Sequence, residues 1–168
     1  MNSEEMKIFQ NLLNDREKRV NLIQQLNQTY GNTIVCARVN YPGLYKINDK
    51  SIKIIEVIKE VLKNTFNSFI VYDLYEVTYE GPLLIMVIAK DSKAVKKDAI
   101  NIEESHPIGR LVDIDVYDED GIGISRDVLG FSKRKCFICK NDAHACVRSR
   151  AHNEKDIKEY IHNIIDNF

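Results

Sequence analysis

Residues 112–116 read Val-Asp-Ile-Asp-Val, an alternation of apolar and acidic side chains. Successive side chains of a β-strand point to opposite faces of the sheet, so this alternation predicts a half-buried strand. Val112, Ile114 and Val116 then face a core, while Asp113 and Asp115 project together from the other face. The chain therefore needs a sheet with one covered face and one face on which two acids stand side by side.

Two ionised carboxylates this close repel each other unless a cation lies between them or one takes up a proton. Mg²⁺ prefers such oxygen ligands and usually binds one or two carboxylates together with substrate phosphates. Asp113 and Asp115 are therefore candidate Mg²⁺ ligands and catalytic residues for phosphoryl-type transfer. The competing interpretation is a solvent-facing strand that carries two acids. A third carboxylate would normally complete the site, and the candidates are Asp73, Glu76 and Asp91.

The remaining periodicity predicts an α+β fold with a mixed or antiparallel sheet flanked by helices. No linker, repeat or composition shift divides the chain, so residues 1–168 are expected to form a single domain. The predicted elements, in order, are a helix capped by Ser3, a strand 33–39, a helix 48–66, strands 68–78 and 83–90, a helix 93–103 capped by Ser92, a strand 111–117 and a helix 154–165.

Bulk composition limits the partners and the compartment. The net charge of −1 provides no global field for nucleic acid or an anionic membrane. The N-terminus lacks the pattern of a secretory signal, and the most apolar stretch, 83–89, is too short to span a bilayer. Four cysteines are too few for a disulfide scaffold. A reducing cytoplasm is the expected setting, with no nucleic acid and no membrane as partner.

Three cysteines and a histidine cluster near the C-terminus. Cys136, Cys139, Cys146 and His152 make a complete tetrahedral Zn²⁺ set, although their spacing departs from common zinc fingers. His144 is a rival fourth ligand. The alternatives are buried free cysteines or a redox Cys-x-x-Cys motif.

Residues 133–152 form a basic subregion around these cysteines, with a single acid, Asp142. The local excess of charge suits a polyphosphate donor or an acidic partner protein, although charge runs are often only solvated surface.

The first helix is predicted to carry an inward apolar stripe of Met6, Phe9, Leu13, Val20 and Ile23. Arg16 lies on this stripe, between Leu13 and Val20. It is interpreted either as an arginine whose stem covers the core or as a guanidinium aimed into a site.

Several motifs together resemble one family. The run from His106 to Val116, His-Pro-Ile-Gly-Arg-Leu-Val-Asp-Ile-Asp-Val, closely resembles the signature of the citrate lyase holo-acyl-carrier-protein synthase family, also called apo-citrate lyase phosphoribosyl-dephospho-CoA transferase. The chain departs from the family pattern at Tyr41 and Leu44. Further similar segments are Arg16-Glu17-Lys18-Arg19-Val20, Asn40-Tyr41-Pro42-Gly43 with Lys46, Glu76-Val77, Gly81-Pro82, Ser125-Arg126-x-x-Leu129-Gly130, Arg134-x-Cys136-x-x-Cys139 and Ala145-Cys146-x-Arg148-x-x-x-His152.

This resemblance implies a specific reaction and a nucleotidyltransferase-like fold. The family transfers the prosthetic group of citrate lyase from 2'-(5''-triphosphoribosyl)-3'-dephospho-CoA to a serine of the apo acyl carrier subunit, and pyrophosphate is released. Mg²⁺ on Asp113 and Asp115 would clamp the donor triphosphate, and the nucleophile would belong to the carrier. The expected substrate-binding residues, from their places in the matching motifs, are Arg16, Asn40, Lys46, His106, Arg110, Arg126 and Arg134.

Two other functions stay open from the sequence. One is a zinc-stabilised interaction module without catalysis, which would have no reason to keep two acids on one face. The other is a metal-dependent phosphohydrolase that uses the same acids on water.

Overall fold

The computed structural model describes residues 2–168, and its centre is one four-stranded sheet. The strands lie in the order β2-β3-β1-β4, and every neighbouring pair is antiparallel, so of the two predicted sheet types the antiparallel one is found. Their bounds are β1 Thr33–Val39, β2 Ile70–Thr78, β3 Gly81–Ile88 and β4 Val112–Tyr117.

Five α-helices surround the sheet, which confirms the α+β prediction. Short 3-10 turns connect some of the elements, including Gly109–Leu111 immediately before β4. The short helix Ala143–Ser149 lies in the cysteine-rich segment and was not predicted. The helices are α1 Ser3–Tyr30, α2 Asp49–Phe66, α3 Ser92–Ser105, α4 Ala143–Ser149 and α5 Glu154–Asp166. None of them, within residues 2–168, is both long and apolar enough to cross a bilayer.

The two faces of the sheet are covered unequally. Helices α2, α3 and α5 close one face and bury the larger core, which includes Val112, Ile114 and Val116. On the other face, Ile23 and Leu26 of α1 pack on β1 and β3. The predicted alternation of β4 is therefore correct, and Asp113 and Asp115 lie on the α1 face of the sheet.

The predicted inward stripe of α1 is confirmed only at Ile23. Met6, Phe9, Leu13 and Val20 are exposed, and Arg16 with them. The buried positions of α1 are Arg19, Ile23 and Leu26. The interpretation of Arg16 as an arginine covering the core therefore fails, and its neighbour Arg19 takes the inward position.

Two predicted helix caps also differ from the structure by one residue. The side chain of Asn2, not Ser3, accepts the N–H of Glu5 at the start of α1, and Glu5 completes a capping box. At the start of α3 the cap is Asp91, whose carboxylate accepts the N–H of Ala94 at 2.8 Å, instead of Ser92.

Side chains satisfy the outer edge of β4 at Val112 and Ile114, and the backbone N–H of Ile124 donates to the carbonyl of Val116 at 2.8 Å. The N–H of Ile114 donates to Glu103 at 2.8 Å, and the carbonyl of Ile114 accepts a bond from Lys96 at 3.3 Å. Arg134 donates to the carbonyl of Val112 at 2.9 Å. Since an unpaired strand edge is a template for aggregation, these bonds also protect the sheet.

Gly109 fixes the distance between α3 and the start of β4. A Cβ at this position would overlap the carbonyl oxygen of Ile102 and crowd the backbone of Glu103. The glycine in the predicted motif is therefore a packing requirement that lets the chain cross closely over the end of α3.

We predict that Gly109→Ala lowers the free energy of unfolding by about 3 kcal/mol, because the added methyl group meets backbone that cannot move aside. Gly123→Ala is the matched control, since its Cβ would lie an ordinary 3.8 Å from the Tyr117 ring. Urea unfolding of both variants tests this, and equal stabilities would contradict it.

Candidate functional site

The two acids stand on adjacent cross-strand rows of the α1 face. Asp113 is opposite Arg38 of β1, and Asp115 is opposite Cys36. The side chains of Asp113 and Asp115 are 38% and 42% exposed, although Cys36 and Leu83 on the same face are buried under α1. The structure therefore presents the acids together and accessible, at one corner of the sheet.

Each acid is bonded to a different arginine through one oxygen. Oδ2 of Asp115 accepts a bond from Arg38 at 2.9 Å, and Oδ1 of Asp113 accepts one from Arg134. Among residues 2–168, neither Oδ1 of Asp115 nor Oδ2 of Asp113 accepts a hydrogen bond. One oxygen of each carboxylate therefore remains free for a cation.

Arg134 is held in place from several directions. Its guanidinium donates to the carbonyls of Val112 and Arg110, and lies 3.8 Å from the carboxylate of Glu103. Arg134 thus connects the cysteine-rich segment to β4 and to the nearer acid.

A buried ion-pair network lies behind the acids. Glu80, in the turn between β2 and β3, accepts two bonds from Arg19 at 2.7 and 3.1 Å and lies 3.9 Å from Arg38. Burial opposes the charge of Arg19, but its hydrogen bonds to Glu80 and the negative charges around it together raise the Arg19 pKa. The Nε of Arg38 is buried and has no acceptor within residues 2–168.

Glu80 is also the third carboxylate of this corner, which the sequence did not identify. Asp73 pairs with Lys63 at 2.9 Å, and Asp91 caps α3. Glu76 shares the row of Asp113 but stands three strands away, about 14 Å at the usual strand spacing. These three candidates are therefore excluded as partners of the acid pair.

Two of the predicted substrate-binding residues lie beside the acid pair. The backbone N–H of Asn40 donates to the carbonyl of Leu111 at 2.8 Å, which places Asn40 at the end of β1 next to the start of β4. Lys46 is half-buried, and burial and the charge of Arg38 lower its pKa. The charge of Asp113 raises the same pKa, so Lys46 and Asp113 are near each other.

The other predicted substrate-binding residues have different surroundings. Arg126 bonds both Glu103 and Glu104, so its charge is already neutralised. Arg110 donates to the backbone of Lys135 beside Arg134. The ring of His106 packs against Phe168, and no hydrogen bond or ion pair within residues 2–168 joins it or the exposed Arg16 to the acids.

The predicted metal-binding cluster is assembled. One ligand atom from each of Cys136, Cys139, Cys146 and His152 lies within 4.8 Å of the others. Nε2 of His152 is 3.3 Å from Cys136 and 3.2 Å from Cys139, and Cys139 is 3.4 Å from Cys146. His144 is exposed and outside the group, so His152 is the fourth ligand candidate.

The cluster is suited to a metal such as zinc. All four cysteines of the chain are free of disulfides, and three of them converge here. The backbone N–H of Asn141 and the neighbouring thiol lower the pKa of Cys139 to about 7, and the contact with Cys139 raises the pKa of Cys146 to about 12. A bound metal would favour the thiolate of both.

Sequence comparison identifies the family to which the chain belongs. The sequence model described as apo-citrate lyase phosphoribosyl-dephospho-CoA transferase matches residues 8–168. The chain belongs to this family. The family resemblance predicted from the motifs is thereby confirmed.

Curated relatives match most of the chain. A probable apo-citrate lyase phosphoribosyl-dephospho-CoA transferase of Vibrio cholerae is 35% identical over 147 residues, which is 84% of this chain and 82% of the relative. A similarly named protein of Streptococcus pyogenes is 28% identical over 94% of this chain and 84% of its own length. Protein CitXG of Leuconostoc mesenteroides subsp. cremoris is 29% identical, and the match covers 94% of this chain but 34% of that protein.

Sequence reasoning missed Arg19, Arg38 and Glu80. Arg38 carried a usable signal, because it continues the β1 face of Ile34 and Cys36 as a charge in an otherwise apolar strand. Arg19 lies four residues before the buried Ile23, which is the helical spacing of a shared face. Glu80 carried no comparable signal, since an acid in a turn is ordinarily solvated.

We predict that Glu80→Gln lowers the free energy of unfolding by about 3 kcal/mol, because it leaves the buried Arg19 without a counter-charge. Glu17→Gln, at an exposed position of α1, is the matched control and should change stability by less than about 0.5 kcal/mol. Urea denaturation measures both, and an unaffected Glu80→Gln would show that the pair does not stabilise the fold.

Proposed function

We propose that the protein transfers the 2'-(5''-phosphoribosyl)-3'-dephospho-CoA group from its triphosphate donor to a serine of the apo acyl carrier subunit of citrate lyase. Pyrophosphate is the second product, which makes the reaction nucleotidyltransferase chemistry. Family membership supports the substrate class. The observation that carries the mechanism is the pair Asp113 and Asp115, which share one face and each keep one free oxygen.

The residues at this corner fit Mg²⁺. Two half-exposed carboxylates with one free oxygen each match its preference for one or two protein carboxylates completed by substrate phosphates. Bound there, the ion would neutralise charge that develops on the transferring phosphate.

The cations around the pair suit a triphosphate. Arg38 and Arg134 each already bond one acid, and Lys46 lies on the same corner. We assign these three side chains to the donor phosphates, because charge-assisted bonds from a rigid guanidinium are strong and directional. The predicted roles of Arg16, His106, Arg110 and Arg126 stay predictions; Arg126 has a clear structural role in holding Glu103.

The reaction balances without an enzyme nucleophile. The carrier serine oxygen forms a bond to the phosphorus attached to the ribose, the bond to the bridging oxygen breaks, and pyrophosphate carries that oxygen and its electrons away. The serine proton leaves to solvent. The chain's own residues position the donor and exclude other orientations of the phosphate.

We also propose that Cys136, Cys139, Cys146 and His152 bind one Zn²⁺ for structure. Four protein ligands leave no open coordination position, as in structural zinc sites. The free thiols of this site suit a reducing compartment, and we place the reaction in the cytoplasm.

We predict that Asp113→Asn and Asp115→Asn each lower the transfer rate by at least about 100-fold, more than the loss typical of residues that only support metal ligands. Attachment of the group is read by mass spectrometry of the carrier subunit. Asp120→Asn, in the exposed loop after β4, is the matched control and should transfer at the wild-type rate.

The same assay separates transfer from the alternative functions. Pyrophosphate released only when carrier is present supports transfer, whereas phosphate released from donor alone supports hydrolysis. Near-normal transfer by either aspartate variant, with excess Mg²⁺, would refute the metal role of the pair.

For the cysteine cluster, we expect elemental analysis of purified protein to find about one zinc per chain, as its four ligands require. Cys139→Ser should lose most of this zinc and unfold at a lower temperature, because the metal no longer closes the segment. Cys36→Ser is the control for zinc content, since Cys36 is buried outside the cluster. The site would be excluded if the purified wild type contained no zinc and its melting temperature did not change when zinc was added.

A further inference from the structure

The cations of the cysteine-rich segment divide into two groups. Arg134 turns inward to Asp113, whereas the others are exposed on the outside of the segment. Asp142 is the only acid paired with any of them within residues 2–168, at 4.0 Å from Lys133. We call the outward group the basic knuckle: Lys133, Lys135, Lys140, Arg148 and Arg150.

The basic knuckle has a fixed position relative to the acid pair. The cluster of three cysteines and His152 closes the segment on itself, and the bridge between Lys135 and Asp142 adds backbone pairing. Arg134 and Arg110 then tie the segment to β4. Lys133 and Lys135 flank Arg134, which contacts Asp113, so both lysines lie close to the acid pair.

An apolar side chain stands among these charges. Val147 is 77% exposed on α4, directly before Arg148. A protein interface commonly has a small apolar contact surrounded by a polar rim.

Arg150 has a backbone conformation that normally favours glycine. It ends α4 with φ 48° and ψ 44°, and it is the only non-glycine residue with positive φ within residues 2–168. The left-handed region costs an L-residue roughly 1–2 kcal/mol. Arg150 therefore presents its exposed side chain from a backbone position that glycine would occupy at lower cost.

The arrangement distinguishes a protein ligand from the small donor. A triphosphate needs cations that converge on one point, and Arg38, Arg134 and Lys46 supply these at the acid pair. The basic knuckle instead spreads its charges over an outer surface, which matches a macromolecule with an acidic face.

We propose that the basic knuckle is the docking surface for an acidic face of the protein acceptor, and that it delivers the acceptor serine to the acid pair. This inference rests on the proposed function, because it assumes that the acceptor is a protein.

The test compares two variants of the protein with the wild type and with a control variant, all purified in the same way. Lys135→Glu/Arg148→Glu reverses two charges of the surface. Arg150→Gly removes one charge at a position where glycine relieves backbone strain. Weaker carrier binding by this variant therefore cannot come from misfolding. Lys93→Glu/Lys97→Glu, at exposed positions of α3, is the control with the same change in net charge.

We expect the reversal variant to raise both the Kd and the KM for the apo carrier on the order of tenfold, with the KM for the donor unchanged. Arg150→Gly should raise the carrier Kd by about threefold and lower no melting temperature. Wild-type binding should weaken as salt increases, and this salt dependence should be smaller in the reversal variant.

Direct binding of the apo carrier, followed by calorimetry, keeps this inference separate from the reaction. Absence of turnover by wild-type protein that still binds carrier through the knuckle would count against the proposed function alone. Equal carrier Kd values for the wild type, the reversal variant and the control, or no carrier binding at all, would overturn the docking surface.

Discussion

The pairing of β4 with β1, and the side chains that hold the outer edge of β4, determine the rest of this structure. An edge strand without a neighbour could shift or fray, and the acids on it would then lose their geometry. Glu103 and Lys96 of α3 bond the outward groups of Ile114, and Arg134 bonds the carbonyl of Val112. Since the same strand carries Asp113 and Asp115, the contacts that stabilise the fold also position the candidate catalytic acids.

Charge compensation connects the parts of the site. Arg38 lies between Glu80 and Asp115, and Arg134 lies between Glu103 and Asp113. Each arginine therefore has a structural carboxylate behind it and a candidate catalytic carboxylate in front. A cation that binds the front carboxylates would free these guanidinium groups for phosphate while the rear carboxylates keep them in place. In the proposed reaction, the acids, the arginines and the donor would therefore form one electrostatic unit.

The sequence predicted those features that depend on local periodicity. The alternation in 112–116 fixed the strand and the shared face of Asp113 and Asp115 because burial acts on every second residue. The spacing of cysteines and the motifs of the family also led to the cluster with His152. These inferences needed no knowledge of which strands are neighbours.

Features that depend on long-range contacts were missed or misplaced. Arg19 and Glu80 are far apart in sequence and meet only because α1 crosses the β2–β3 turn. The apolar residues of the first half of α1 resemble a core stripe that includes Arg16, but they are exposed, and the buried arginine of α1 is Arg19. The outward direction of the basic knuckle follows from the closure of the cluster and could not be read from composition.

The most direct test of the account is a crystal structure of the protein with a non-reactive donor analogue and Mn²⁺, with anomalous scattering used to locate the ion. The account predicts a manganese peak, separate from that of zinc, within coordinating distance of an oxygen of Asp113, an oxygen of Asp115 and a phosphate oxygen of the analogue. A donor bound at this corner with the ion elsewhere, or with both carboxylates still held only by Arg38 and Arg134, would contradict it.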